Sequence, residues 1–571
     1  MIVFLSIMVL MSSSLEIETS TPVGTLTALS PGRAAQVNIV PGVYQLPAAG
    51  LRLNGLTDVT IQASNVTFIA TDPQRTAISL FNCTNVVFHG LTLDYDPLPF
   101  TQGTLTAVDT NSYTADFTIH AGYPDLDEVY LSNRVHLFDA VSRRWKPGAP
   151  DYYIIRIEPV NSRQGRIFFR QTDSGFPLVA PGDHIALNIR NAGAVYVREG
   201  CDNVCFEDVT IHTAPGIAMM IRFAESAGKF NRTNVIPGPL PDGAVEPRLL
   251  SSCADAFNSG YTRTGPVLTD CEFSFMADDG INLHGVTLPV LKWEDSRTCI
   301  SMRPSADPFQ KILRPGDTIR FLREPDYRLV ASNRIASISL TSAPDDVDWY
   351  SIMTNTWSSV STVNHAFYRI VLEQEPELDD FSTPELFIDA PAVSSAGYEI
   401  RNNYFHDHRG RGLRLMAGNG LVESNRLERI KGAAISLGPE FISWREAGWV
   451  NDITVRNNII QDVGQGLDIT FPASYTLGAI SVFARVLPQA AQTVYYCGNR
   501  NITITGNTIN GCSLDGISVV AAYNTLIESN TIQNVNQKLV PTAGSSYGLQ
   551  PGKPINVLFS EETEIRDNHI L

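Results

Sequence analysis

The chain has 571 residues, 43% hydrophobic and 18% charged, with a net charge of −17 and a pI near 5.0. That length suffices for a large core and for more than one domain, and 41 glycines and 34 prolines are ordinary usage, which excludes collagen and general disorder. Uniform acidity makes nucleic acid or an anionic membrane a poor partner and leans toward neutral over polyanionic substrates, a local basic groove excepted.

Residues 1–20 begin MIVFLSIMVLMSSSLE, an apolar run followed by serines. This predicts a signal peptide and a secreted protein, although the usual preceding positive charge is absent; a buried N-terminal strand is the alternative. No other stretch approaches the ~20 apolar residues that span a bilayer. Sequons at Asn65, Asn82, Asn231 and Asn501 fit an exported glycoprotein. The eight cysteines form no CxxC-type pair and no zinc pattern, so one or two disulfides of unreadable connectivity are expected.

From residue 21 to 100 short units begin to repeat: LTDVTIQASNVTFIA at 56–70, then CTNVVFHGLTLDYD at 83–96. Residues 101–185 lose the rhythm and read as longer antiparallel strands, a β-rich insertion. The units return over 186–285 with CDNVCFEDVTIHT at 201–213, and lapse again over 286–392, a second β-rich insertion. They resume over 393–571: GYEIRNNYFHD at 397–407, GLVESNRLERI at 420–430, NDITVRNNIIQDV at 451–463, RNITITGNTIN at 500–510, TLIESNTIQNV at 525–535 and EETEIRDNHI at 561–570. Asn403 and Asn425 are 22 residues apart, Asn507 and Asn530 23. A unit of this length with about three short strands and no helix predicts an all-β parallel solenoid, the β-helix, with asparagines stacked at equivalent turns. Leucine-rich repeats share the period but need regular leucines that are missing.

FMADDGINLHG at 275–285 places Asp278 and Asp279 side by side, with Asp255 one coil earlier. One coil returns the chain to the same side, displaced by roughly 4.8 Å. Three carboxylates therefore gather near His284. Glycoside hydrolysis needs such a set, a carboxylic acid of raised pKa beside an ionised partner, and like-charge repulsion helps keep one protonated. A calcium or magnesium site, or Asp-capped turns with no chemistry, would use the same residues.

FHDHRGRGLRL at 405–415 supplies His406, His408, Arg409, Arg411 and Arg414, and GPEFISWREAG at 438–448 supplies Glu440, Trp444, Arg445 and Glu446. Trp and Arg suit sugar binding, the ring covering an apolar pyranose face and the guanidinium gripping hydroxyls. Arg411 and Glu446 also read as a salt bridge pinning a loop, and Trp444 as simple packing. Asp94 and Asp96, two apart in a strand, would share a face and reach the cleft rim, or form an Asp-Pro turn into the insertion.

DYDPLPFTQG at 94–103, Asp255, ADDGINLHG at 277–285, RGRGL at 409–413 and SWREAG at 443–448 together resemble glycoside hydrolase family 110, over roughly residues 40–570. The resemblance implies a right-handed parallel β-helix with small β-rich insertions and an exo-acting, inverting α-1,3-galactosidase that uses no metal or organic cofactor. It places Asp255, Asp278 and Asp279 in the catalytic cluster, with Asp279 taken as acid and Asp278 with Asp255 as water-activating base. It implies a glutamate as well, for which Glu446 is a candidate, and a galactose-terminated oligosaccharide or glycan as partner. His284, Arg411, Trp444, Glu446, Asp94 and Asp96 are the expected substrate-binding residues. A polygalacturonase-like hydrolase or a polysaccharide lyase on uronic glycans, and a non-catalytic carbohydrate-binding solenoid, remain open alternatives. Oligomeric state is open too, since solenoids can dimerise laterally.

Overall fold

The computed structural model describes residues 15–172, 175–357, 364–383, 385–442, 444–465, 477–484, 496–535 and 553–571. Its body is a right-handed parallel β-helix, the hand that parallel crossovers adopt. One parallel sheet of 23 short strands folds round two faces of the coil, and a second of 11 strands closes the third face. The alternating sequence pattern explains the coil. In the strand Thr84–Tyr95, Val86, Phe88, Leu91 and Leu93 point inward and join one core running the length of the solenoid. Register stacks like on like: Phe88 pairs with Phe206 and Phe206 with Phe230, their rings 5.1 and 5.5 Å apart.

The corner between the first two faces is built from one residue pair per coil. A residue with φ near +55° turns the chain, as at Asn402, Ser424, Asn457, Ser529 and Asp567. The next residue is an asparagine whose side chain enters the coil. Asn403, Asn425, Asn458, Asn507, Asn530 and Asn568 form a continuous ladder, each donating its side-chain amide to the carbonyl of the next at 2.9–3.0 Å. Each also accepts a backbone N–H from the rung before it, so the buried corner is satisfied without water.

Two antiparallel units interrupt the helix. A seven-stranded sheet spans Phe100–Asp109 to His184–Asn188, and its core takes in Leu249, Leu250, Cys253 and Ala277 from the coils. A closed six-stranded barrel spans Thr287–Asp295 to Leu386–Asp389 and packs on Phe223 and Tyr261. The two units thus bracket the segment that carries Asp255, Asp278 and Asp279.

Of the expected leader, residues 1–14 lie outside the described residues, and Leu15–Thr19 is a strand paired in parallel with Ala35–Ile39. The expected disulfides are corrected: all eight cysteines are free thiols. All are buried; Cys83 and Cys201 are coil neighbours, the Cys83 N–H lying 3.5 Å from the Cys201 sulfur. Among the described residues no helix is long and apolar enough to cross a membrane.

Candidate active site

The site lies along the 11-stranded face. Strands Phe257–Gly260, Ile281–His284 and Leu413–Met416 are consecutive coils in parallel register, Phe257 opposite Ile281 and Ile281 opposite Leu413. Two residues before each pairing, the register stacks Asp255, Asp279 and Arg411 in one column, with Asp278 beside them. One oxygen from each of the three carboxylates lies within 4.8 Å of the others. The backbone fits this tightly. A Cβ on Gly410 would stand 2.5 Å from the Asp279 carboxylate, so glycine is what lets the next coil close over it.

Three arginines face the trio. Asp278 contacts Arg190, which follows the last strand of the first insertion, and Arg409 at 3.1 Å. Arg409 is itself held by Asp151 from the same insertion. Asp279 accepts the Arg411 backbone N–H and its guanidinium, both at 2.7 Å. Asp255 accepts the Asn258 amide at 2.7 Å.

These surroundings separate the three acids. Burial, together with the neighbouring Asp278 and Asp279, pushes Asp255 well above the carboxylate range. Burial raises Asp279 to about 6, with Arg411 opposing and Asp278 reinforcing the shift. Asp278 is half-buried, and Arg190, Arg409 and Arg411 hold it well below the ordinary range. The cluster therefore holds one firm anion beside two groups that bind protons more tightly than ordinary carboxylates. Three converging carboxylates also meet the geometric requirement for a cation, but the guanidiniums already supply the positive charge there.

Residues 438–442 and 444–450 lie against the same strand face. Glu440 is buried and caps this loop, accepting the N–H groups of Ile442, Trp444 and Arg445. Arg445 ties the loop to the second insertion through the Tyr327 hydroxyl at 2.6 Å and the Thr356 carbonyl at 2.9 Å. So fixed, Glu446 faces Asn282 at 3.5 Å and His284 at 3.9 Å. Trp444, two residues away, is 61% exposed.

Of the sequence-predicted residues, the structure gathers Asp255, Asp278, Asp279 and Arg411 in one cluster and His284 with Glu446 in another on the same face. Trp444 stands exposed on the loop instead of packing, and the expected Arg411–Glu446 bridge is corrected: the carboxylate partner of Arg411 is Asp279, its coil neighbour. Asp94 and Asp96 are corrected as well. The strand ends at Tyr95, so they do not share a face. Asp94 is buried in a two-pronged pair with Arg248 at 2.8 and 2.9 Å, while Asp96 is exposed in the turn. His406 and His408 are engaged elsewhere, with Asp407 and Glu272 and with the Arg411 carbonyl. Sequence reasoning missed Arg190, Asn258 and Asn282. For the two asparagines a signal existed: they lie 24 residues apart, the spacing of Asp255 and Asp279.

Fold and site together define a parallel β-helix protein with an electrostatically divided carboxylate trio, two of its members buried. No protein-family model matches the chain. It is similar to alpha-1,3-galactosidase B of Akkermansia muciniphila, 26% identical over 361 residues, covering 62% of this chain and 39% of that protein. It is also similar to alpha-1,3-galactosidase B of Bacteroides thetaiotaomicron, 22% identical over 534 residues, covering 84% of this chain and 75% of that protein. The match thus spans well under half of the first relative's length. Among solved structures, the exopolygalacturonase of Thermotoga maritima superposes with a TM-score of 0.37 at 12% identity, over 97% of this chain and 91% of that one. The sequence similarity is a distant one, to a broad group related to glycoside hydrolases.

Proposed function

We propose that the protein is a secreted, exo-acting glycoside hydrolase that releases terminal α-1,3-linked galactose from an oligosaccharide or glycan. The observation that carries the reading is the trio, in which the proton affinities of adjoining carboxylates are driven in opposite directions, as acid–base cleavage of an acetal demands. Asp279 is the acid: its proton passes to the glycosidic oxygen as the bond from that oxygen to the anomeric carbon breaks. Water attacks the anomeric carbon and gives its proton to Asp278, the anion. Asp255, raised by burial and its neighbours, keeps a proton and orients that water, in place of the basic role expected of it from the sequence. The linkage and sugar rest on the resemblance and on the names of the distant relatives. So does inversion, because oxygens within 4.8 Å are nearer the short carboxyl spacing of retaining enzymes.

Arg409 is engaged by Asp151 and Asp278, and Arg411 by Asp279, which favours a neutral sugar over a uronic one. The test is release of p-nitrophenol from its α-galactoside by the purified protein, with and without EDTA, beside an Asp279→Asn variant. The expected result is turnover indifferent to EDTA and lost in the variant. No turnover by the wild-type protein would overturn the reading, and glycan binding without turnover would move a carbohydrate-binding solenoid ahead of it.

A further inference from the structure

Where the first insertion meets the coils there is a small pocket that takes no part in the trio. The strand Arg134–Phe138 and residues 145–151 wall it on the insertion side, and Lys431 closes it from the coils. His136, Trp145, Lys146, Asp151 and Lys431 bring polar atoms to it, and the space inside is close to that of one water molecule.

Two nitrogens of this wall satisfy nothing in the protein. Trp145 Nε1 can only donate, and it is buried without a partner among the described residues. Nε2 of His136 is equally unpartnered, on a side chain that is 3% exposed. The two rings pack edge to face at 5.1 Å, so neither turns away without breaking that contact. The Lys146 ammonium adds further hydrogens. It has three, and among the described residues its one partner is Asp183.

The acceptor side is taken. Both oxygens of Asp151 accept from Arg409, and Oδ1 also accepts from Lys431 at 2.8 Å. Charge follows the same trend. Burial and the guanidiniums of Arg409 and Arg134 hold His136 neutral, Arg190 adding to them and Asp151 opposing. Lys146 and Lys431 contribute two ammoniums, against Asp139 and Asp183 beside Lys146 and Asp278 beyond Arg409. Cations outnumber anions at this junction, in a chain whose net charge is −17.

We propose that the pocket binds a monatomic anion, a halide, held by Trp145 Nε1, His136 Nε2 and the Lys146 ammonium. A neutral imidazole can carry its hydrogen on Nε2, so all three groups would donate. A halide accepts from several donors at once and supplies the negative charge the junction lacks. A water would bring two hydrogens of its own, with Asp151 already engaged by Arg409 and Lys431. Phosphate and sulfate are too large for the space. Asp151 stands on the wall, but Arg409 and Lys431 neutralise it. The site lies outside the glycosidase reading and does not rest on it: Arg409 connects the two, and no step of hydrolysis passes through the pocket.

Bromide is the probe. Titration calorimetry with sodium bromide, at an ionic strength held constant with sodium gluconate, reads binding, and crystals soaked in bromide and measured at the bromine edge read position. The expected result is one saturable site and an anomalous peak between Trp145 and Lys146. Lys146→Met should weaken bromide about tenfold, and Trp145→Phe should weaken it several-fold by removing one donor from a ring of similar shape. The second variant keeps the test informative if Lys146→Met, which leaves Asp183 unpaired, fails to fold. No saturable heat, a pocket that holds only water in the soaked crystal, a peak confined to other places, or folded variants that bind bromide like wild type would each overturn the proposal.

Discussion

Two stacks of side chains climb the same solenoid, and they obey opposite rules. At one corner, six asparagines from Asn403 to Asn568 repeat a single hydrogen-bond pattern. At another, Asp255 and Asp279 stack one coil apart with Asp278 alongside. An amide carries both donor and acceptor, so identical neighbours satisfy one another. A carboxylate only accepts, so identical neighbours repel. The second stack stands because Arg190, Arg409 and Arg411 are brought to it and Asp255 and Asp279 bind protons more tightly than ordinary carboxylates. The first stack serves stability; the second holds charge in an arrangement that reaction can exploit.

The largest break in this comparison is Asp279→Asn. Loss of the acid should lower kcat by about 10²–10⁴-fold. Relief of repulsion within the trio should leave the melting midpoint unchanged or higher, a pairing that calorimetry beside kinetics would check. The reverse is expected of Asn458→Ala in the ladder. That residue is fully buried, donates to the Val422 carbonyl and to Asn507, and accepts from Asn425. Removing it strands several buried groups and should cost about 2–4 kcal/mol in denaturant unfolding, with kcat/KM nearly unchanged.

A smaller effect sharpens the contrast through pH. A carboxyl raised to about 6 binds its proton more tightly folded than unfolded, so its contribution to stability is full below the ordinary carboxylate pKa and is lost as pH rises through about 6. The alkaline limb of kcat/KM should fall with an apparent midpoint near 6, as the acid loses its proton. Asp278 is shifted the other way, and its contribution is present above the ordinary pKa and lost as pH falls toward its depressed value. Arg190→Ala should move the acid limb upward by removing one of the guanidiniums that keep Asp278 ionised. A pH–rate profile unchanged by that substitution would separate Arg190 from the site.

The same contrast explains what the sequence disclosed. The solenoid and its ladder were legible because one side chain at one spacing satisfies itself, and Asp255 one coil before the Asp278–Asp279 pair was legible by the same periodicity. The partners were not. Arg190 lies 88 residues from Asp278 and Arg248 154 from Asp94, with no repeat to connect them, and Arg411, next in the column, is set 132 residues from Asp279 by the second insertion. Asp94 and Asp96 were misplaced because strand alternation was extended one residue past Tyr95. Asn258 and Asn282 carried the right spacing, but an isolated pair of asparagines in a chain rich in them gives no cue to which amide ends will be left unsatisfied.

The most direct test of the central claim is a proton-NMR time course with galactose-α-1,3-galactose. The expected result is that free galactose appears first as the β-anomer and that Asp279→Asn stops its release. Initial release of the α-anomer would contradict inversion, and an unchanged disaccharide in the presence of folded wild-type protein would contradict the galactosidase reading itself.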